Sequence, residues 1–161
     1  MKMENSTTVQ PILEKLDFVN RQFHRLLLIA GTSGRARENI AALLSVKLPA
    51  PLININLEVS RQLLELPEKQ RPFHLPGILD TIINSITQPT FIFKNIELLF
   101  NATLKTDPLR LFMNISRNKT LIVAWNGHSD GEFLFYAAPG HPDYKKYPTA
   151  DLNIINLHDE F

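Results

Sequence analysis

"LLLIAGTSGRAREN", residues 26–39, is the stretch on which the fold turns. Its apolar run from Leu26 enters Ala30 and Gly31 as a buried strand enters a glycine-rich turn, and an amphipathic helix is expected from about Arg37 to Leu48. That strand, turn and helix are the frame of a phosphate-binding loop. There, glycines let backbone amides approach phosphate oxygens, and the helix N-terminus adds positive potential. The candidate phosphate or nucleotide residues are therefore Gly31, Thr32, Ser33, Gly34, Arg35, Ala36, Arg37 and Glu38.

The departures from an active loop fall on the chemical positions. Ala36 replaces the second glycine, and its Cβ disfavours the positive φ and close approach that glycine permits. Arg37 replaces the lysine that reaches the terminal phosphates; it keeps the charge but brings a wide planar fork. Glu38 replaces the hydroxyl that binds magnesium, and places negative charge beside a polyphosphate. An acidic residue also suits a helix N-terminus for purely structural reasons, and Arg35 and Arg37 can equally be solvated surface charges.

Outward from this stretch, helices and strands alternate. Residues 9–23 set Val9, Ile12, Leu13, Leu16, Val19 and Phe23 at helical spacing, with Thr7 or Thr8 as N-cap and Pro11 in the first turn. "LININL" (52–57) alternates as a strand does, and Ser60 then caps a short helix ending before Pro67. "LPGILDTIINSI" (75–86) reads as a helix burying Ile78, Leu79, Ile82, Ile83 and Ile86. "TFIFK" (90–94), "TLIVAW" (120–125) and "EFLFYA" (132–137) read as strands. Residues 107–116 read as a helix with Asp107 as N-cap and Pro108 at its first position, and 152–157 as a last edge strand. This order predicts a three-layer α/β fold of the P-loop NTPase type, with an AAA+-like core, a mostly parallel sheet and no separate lid domain. The chain of 161 residues is read as one domain: an N-terminal helix over 8–24, a core over 25–137 and a turn-rich tail over 138–161.

Composition narrows the function. The formal charge is +1, and Lys/Arg against Asp/Glu stand at ten to eight over residues 1–80 and seven to eight over 81–161. That even spread argues against binding duplex DNA mainly through phosphate neutralisation. Without cysteine there is no disulfide, thiolate site or cysteine nucleophile. No run approaches the ~20 apolar residues of a membrane span and no signal-peptide core is evident, so a soluble cytoplasmic protein with no membrane partner is expected. The histidines at 24, 74, 128, 141 and 158 lack metal-site spacing, so no metal ligands are assigned. His128 and Asp130 fall in one turn and read as solvated, and Trp125 reads as core.

Two further strand ends bear on catalysis. In P-loop ATPases a buried strand ends in an acid that holds the magnesium shell. The matching strand here ends in Lys94 and Asn95, with Glu97 three residues past Lys94. Lys94 repels a cation, so magnesium is not expected, although the ammonium could touch a phosphate. Glu97 could reach the site from the next turn, or simply begin a short helix. "TLIVAWNG" ends in Asn126, which suits a sensor of the terminal phosphate as in AAA+ ATPases, or equally an Asn-Gly turn. The catalytic candidates are thus Glu97 and Asn126. No arginine follows Arg117, so only Arg110 and Arg117 could serve as fingers across a subunit interface.

Three segments carry a family resemblance. "LININLEVSRQLLEL" (52–66), "FKNIELLFNATLKTDPLRLFMNISRNKTLIVAWNG" (93–127) and "LFYAAPGHPDYKKY" (134–147) resemble the BrxF family, the small P-loop proteins of type 3 bacteriophage-exclusion (BREX) defence systems in bacteria. The resemblance spans roughly residues 10–150. It implies a single-domain AAA-like fold and a role in phage resistance, alongside a large ATPase, a DNA methyltransferase and a phosphatase-like protein. Members with an intact loop are expected to bind ATP. This chain departs at Ala36, Arg37, Glu38, Lys94 and Asn95, so at most weak ATP or ADP binding is expected. Its action would then run through partners or homo-oligomers. The alternatives are an oligomeric ATPase completed in trans, and a DNA-binding accessory protein using Arg35, Arg37 and Lys94.

Overall fold

The computed structural model describes residues 2–157, with side chains from Val9 onward. Strand β1 (Leu26–Gly31) is buried along its whole length because its alternate side chains enter two different cores. Leu26, Leu28 and Ala30 face one, and Leu27 and Ile29 the other. β3 (Thr90–Lys94) and β4 (Thr120–Ser129) divide in the same way, with Phe91, Phe93, Leu121, Val123 and Trp125 on one side and Ile92 and Ile122 on the other. Continuous apolar runs are what a parallel sheet covered on both faces requires.

One covering layer consists of α1 (Lys2–Val19) and α2 (Gly34–Lys47), through Val9, Ile12, Leu16, Val19, Ile40, Ala41 and Leu44. The other consists of α3 (Ile55–Leu63), α4 (Arg71–Asn84) and α5 (Pro108–Ile115), with Ile55, Val59, Leu75, Leu79, Leu109 and Phe112 against the sheet. The strands run in the order β2-β3-β4-β1-β7, where β2 is Leu52–Asn54 and β7 is Ile154–Asn156, and every neighbouring pair in that path is parallel. β4 continues beyond the parallel sheet to pair antiparallel with β5 (Phe133–Tyr136), and β5 pairs with β6 (Lys145–Pro148). The fold is α/β, with a mostly parallel sheet of seven strands and five α-helices among the described residues.

Several boundaries differ from expectation. The first helix starts at Lys2 and ends at Val19, so Thr7 and Thr8 lie inside it and Pro11 is interior. A proline there removes one N–H, and the stripe Val9, Ile12, Leu16 and Val19 still holds the helix to the sheet. Phe23, beyond its end, is exposed, and the Arg117 guanidinium lies 5.1 Å from its ring centre. The strand expected over 52–57 stops at Asn54, whose Oδ1 accepts from Leu57 N–H at 3.1 Å and begins α3. Ser60 is therefore inside that helix, donating to the Leu57 carbonyl, and caps nothing. The helix expected over 75–86 begins four residues earlier, at Arg71, and Pro76 lies within it. Asp107 and Pro108 open α5 as expected, with Asp107 Oδ1 accepting from Leu109 N–H at 3.2 Å. His158 and the rest of the tail from 158 to 161 lie outside the described residues.

Candidate functional site

The C-terminal ends of β1, β4 and β3 lie side by side, so the glycine turn, Asn126 and Lys94 meet at one edge of the sheet. The turn itself is shorter than a phosphate cradle. Ser33 acts as N-cap, its Oγ accepting from Ala36 N–H at 3.1 Å, and α2 starts at Gly34. Gly34, Arg35 and Ala36 are thus absorbed into the helix expected from Arg37, and only Thr32 and Ser33 connect it to β1. An N-capping serine satisfies one of the amide donors that a phosphate would otherwise take.

The space over the turn is also filled. Arg37 folds back and donates from Nη1 to the Gly31 carbonyl at 2.5 Å and to Asn126 Oδ1 at 3.3 Å. The guanidinium therefore ties the end of β1 to Asn126 within β4. Leu157, just past β7, donates its N–H to the Ala30 carbonyl at 2.6 Å, and its side chain lies where a Cβ on Gly31 would come within 3.2 Å. Gly31 thus packs closely against Leu157, and a side chain there would have to push Leu157 aside by a few tenths of an ångström. Ala36 is buried in the α2 face toward the sheet.

Lys94 and Glu38, 56 residues apart, form an ion pair with Nζ 2.6 Å from Oε1. The Lys94 side chain is 23% exposed and that of Glu38 51%. These are the two positions that the sequence sets against the magnesium-binding positions of P-loop ATPases, and in this chain they hold each other. Asn95 adopts positive φ (52°), and its carbonyl accepts from Asn56 N–H. Asn56 also accepts from Leu98 N–H at 2.8 Å and donates to Glu97 Oε2 at 3.2 Å. Glu97 thus begins a short 3-10 turn, Glu97–Phe100, and its carboxylate is engaged by α3. Tyr136 is held well above the usual phenol range, first by burial and then by the negative charges of Glu97 and Asp143, with Arg37 opposing.

Asn126 is not in a turn: β4 runs through it to Ser129, and the reversal falls at 130–132, where Asp130 accepts from Glu132 and Phe133 N–H. Those two bonds lower the Asp130 pKa. Gly127 is fixed by sterics, since a Cβ there would lie 1.8 Å from the Phe135 carbonyl oxygen. His128, expected in a solvated turn, is in β4 with its ring stacked on Phe135. Arg110 is exposed on the first turn of α5, whereas Arg117 lies between α5 and the start of β4, at the opposite end of the sheet from the loop. Among the described residues no group of three His, Asp or Glu side chains gathers as a metal site would, and no helix is long and apolar enough to cross a membrane.

Sequence reasoning placed Gly31 and Lys94 at strand ends, ended β4 three residues early at Asn126, and missed Leu157, Asn56 and the capping role of Ser33. A Ser directly before Gly-Arg-Ala was the available signal for the cap. Comparison with protein-family models, with curated proteins and with solved structures gave no match. The fold and the site together define an α/β domain whose parallel strand ends converge on a capped helix N-terminus closed by its own cations.

Proposed function

We propose that this protein is a non-hydrolysing P-loop-like domain that serves as an accessory component of a BREX-type anti-phage system in the bacterial cytoplasm, acting by binding its partner proteins or further copies of itself. The Lys94–Glu38 pair is the observation that carries this reading. It sets a tethered ammonium where an ATPase needs a divalent ion, so metal-assisted phosphoryl transfer has no place to occur. The Arg37 bridge and the Ser33 cap support the same reading, because each satisfies groups that would otherwise face phosphates. The strand order, with β4 between β1 and β3, supports the AAA-like kinship, and the sensor reading of Asn126 rests on that kinship. Here that asparagine is bonded to Arg37.

Titration with Mg-ATP and a phosphate-release assay test the chemistry. The expected result is neither saturable binding at micromolar nucleotide nor turnover. Low-micromolar affinity that is abolished by Arg37→Ala would refute it, and turnover lost on Glu97→Gln would favour an ATPase completed in trans. The defence role is tested by plaque counts on cells carrying the defence cluster with this gene deleted. Wild-type and Glu97→Gln chains should both restore protection.

A further inference from the structure

The parallel sheet ends at β7, and the two sides of that strand are used unequally. Leu28 N–H donates to the Asn153 carbonyl at 2.9 Å, and Leu157 N–H to the Ala30 carbonyl at 2.6 Å. Asn153, Ile155 and Leu157 therefore aim their backbone groups at β1. Successive residues of a strand alternate, so Ile154 and Asn156 present N–H and C=O to the outside, where no further strand lies among the described residues. Such an edge is a template for another strand, and natural sheets blunt it with lysine or proline. The other outer strands carry those devices: β6 has exposed Lys145 and Lys146 and ends in Pro148, and Pro51 precedes β2. Residues 152–157 hold neither a charge nor a proline. Ile154 and Ile155 pack on opposite faces of the sheet and stay half-buried.

The edge fits a second copy of itself. Identical edge strands related by a two-fold axis pair antiparallel, and the residues that bond must both point outward. An axis at Ile155 sets Ile154 of each copy against Asn156 of the other and pairs every outward N–H with an outward carbonyl. An axis at Ile154 would leave the Asn156 carbonyls without donors, because Leu152 already gives its N–H to the Thr149 carbonyl at 3.0 Å.

A second feature adjoins the start of the strand. Phe18 and Phe23, 52% and 68% exposed, border a cavity of about 460 Å³ together with Lys15, Gln22, Asp151 and Asn153. Lys15 Nζ stands 5.1 Å from the Phe18 ring centre, and the Arg117 guanidinium the same distance from that of Phe23. With the axis at Ile155, Leu157 of the second copy stands across from Asn153, about 4.5 Å away between Cα atoms. Leu157 of the same chain is farther off, about 13 Å along the strand. His158, Asp159, Glu160 and Phe161 follow Leu157 and lie outside the described residues. Their two carboxylates and aromatic ring complement this corner of cations and rings, and those of the second copy start beside it.

We infer that two copies of this chain join edge to edge, β7 pairing antiparallel with β7 about an axis at Ile155, with residues 158–161 of each copy against Lys15, Phe18 and Phe23 of the other. This makes specific the self-assembly named above, and its failure would leave binding to other proteins and the Mg-ATP tests as they stand.

Sedimentation of the intact chain over a range of concentrations, together with thiol cross-linking, tests the pairing. The chain has no cysteine, so Ile155→Cys gives each copy one thiol, on the axis. Cα atoms of a non-hydrogen-bonded antiparallel pair lie about 4.5 Å apart, within reach of a disulfide. Mild oxidation should cross-link Ile155→Cys faster than Val46→Cys, a control at an 80% exposed position on α2. The wild type should show a monomer–dimer equilibrium. Ile154→Pro removes an outward N–H that β1 does not use, and should weaken the dimer about tenfold; deletion of residues 158–161 should weaken it as well. Circular dichroism checks that Ile154→Pro keeps its fold, and the cross-linking result stands without that variant. A wild type that stays monomeric at the highest concentrations, cross-linking of Ile155→Cys no faster than the control, or a dimer undiminished by both Ile154→Pro and the deletion overturns the inference.

Discussion

Breaking the Lys94–Glu38 pair should cost little stability and change what the site accepts. At 2.6 Å Coulomb attraction is about 1.6 kcal/mol in the dielectric of water and about 6 kcal/mol at an effective dielectric of 20. The Glu38 side chain is half exposed, so the aqueous value is the nearer one. Holding two flexible side chains in register offsets part of it, which leaves a coupling of about 1 kcal/mol. A double-mutant cycle with Lys94→Met, Glu38→Gln and the combination, followed by urea denaturation, measures that coupling directly. It should shrink in high salt. The decisive variant is Lys94→Asp, which puts two carboxylates where the pair stood. If the ammonium substitutes for a metal ion, this chain should be stabilised by magnesium, by about 1.4 kcal/mol at a concentration ten times Kd, and the wild type should not respond. Strictly additive single variants, or a Lys94→Asp chain indifferent to magnesium and calcium, would refute the argument that these two side chains occupy an ion's place.

Three other perturbations have defined outcomes. Arg37→Ala removes the bridge between the Gly31 carbonyl and Asn126 and should lower stability by about 1 kcal/mol, a fall of about 2–4 °C in Tm by calorimetry. Gly127→Ala drives a Cβ into the Phe135 carbonyl and should cost about 3 kcal/mol or more. Because Trp125 Nε1 donates to that same carbonyl at 3.0 Å, the fluorescence of this single tryptophan should shift as the ribbon opens. Burial, followed by nearby carboxylates, raises the pKa values of Tyr136 and Tyr147 above the ordinary 10.0. The folded chain then keeps these protons after the unfolded chain has lost them, so stability is constant below pH 10 from this source and falls as pH rises beyond it. Tyr147→Phe should flatten that fall in a denaturation series across alkaline pH.

The parts of the fold legible in the sequence were those where one signal acted alone. The apolar runs at 26–30, 91–93 and 121–125 became parallel strands because both faces of each are covered, and nothing polar competes within them. "LININL" held two signals at once. The alternation of Ile53 and Ile55 with asparagines suggests a strand, yet Ile55, Val59 and Leu63 stand at helical spacing and all are buried. The capping bond from Leu57 to Asn54 decided for the helix and left β2 only three residues. β6 was missed because "KKYP" is the outer strand of a ribbon, with two exposed lysines and a proline and no apolar pattern. Around the glycine turn, Gly31, Lys94 and Asn126 could be placed on their strands from the sequence, but their contacts could not. A Ser33 cap, a Leu157 side chain over Gly31 and an arginine turned onto its own loop depend on geometry that spacing does not encode.

The structure also changes the meaning of the substitutions. Read along the chain against the P-loop pattern, Glu38 and Lys94 are two separate departures, each at a position that pattern gives to magnesium binding. In space they are one exchange, because a carboxylate beside the loop needs a positive partner, and a lysine at the end of β3 supplies it at 2.6 Å. Arg37 follows the same logic: its charge, which a phosphate would have met, is met by the Gly31 carbonyl and Asn126. Simple decay of an ATPase would leave unmatched groups at this sheet edge, and buried unmatched groups are costly. Among the described residues, no buried side-chain nitrogen or oxygen lacks a partner. A closed loop of this kind satisfies the groups at these strand ends from within the chain itself.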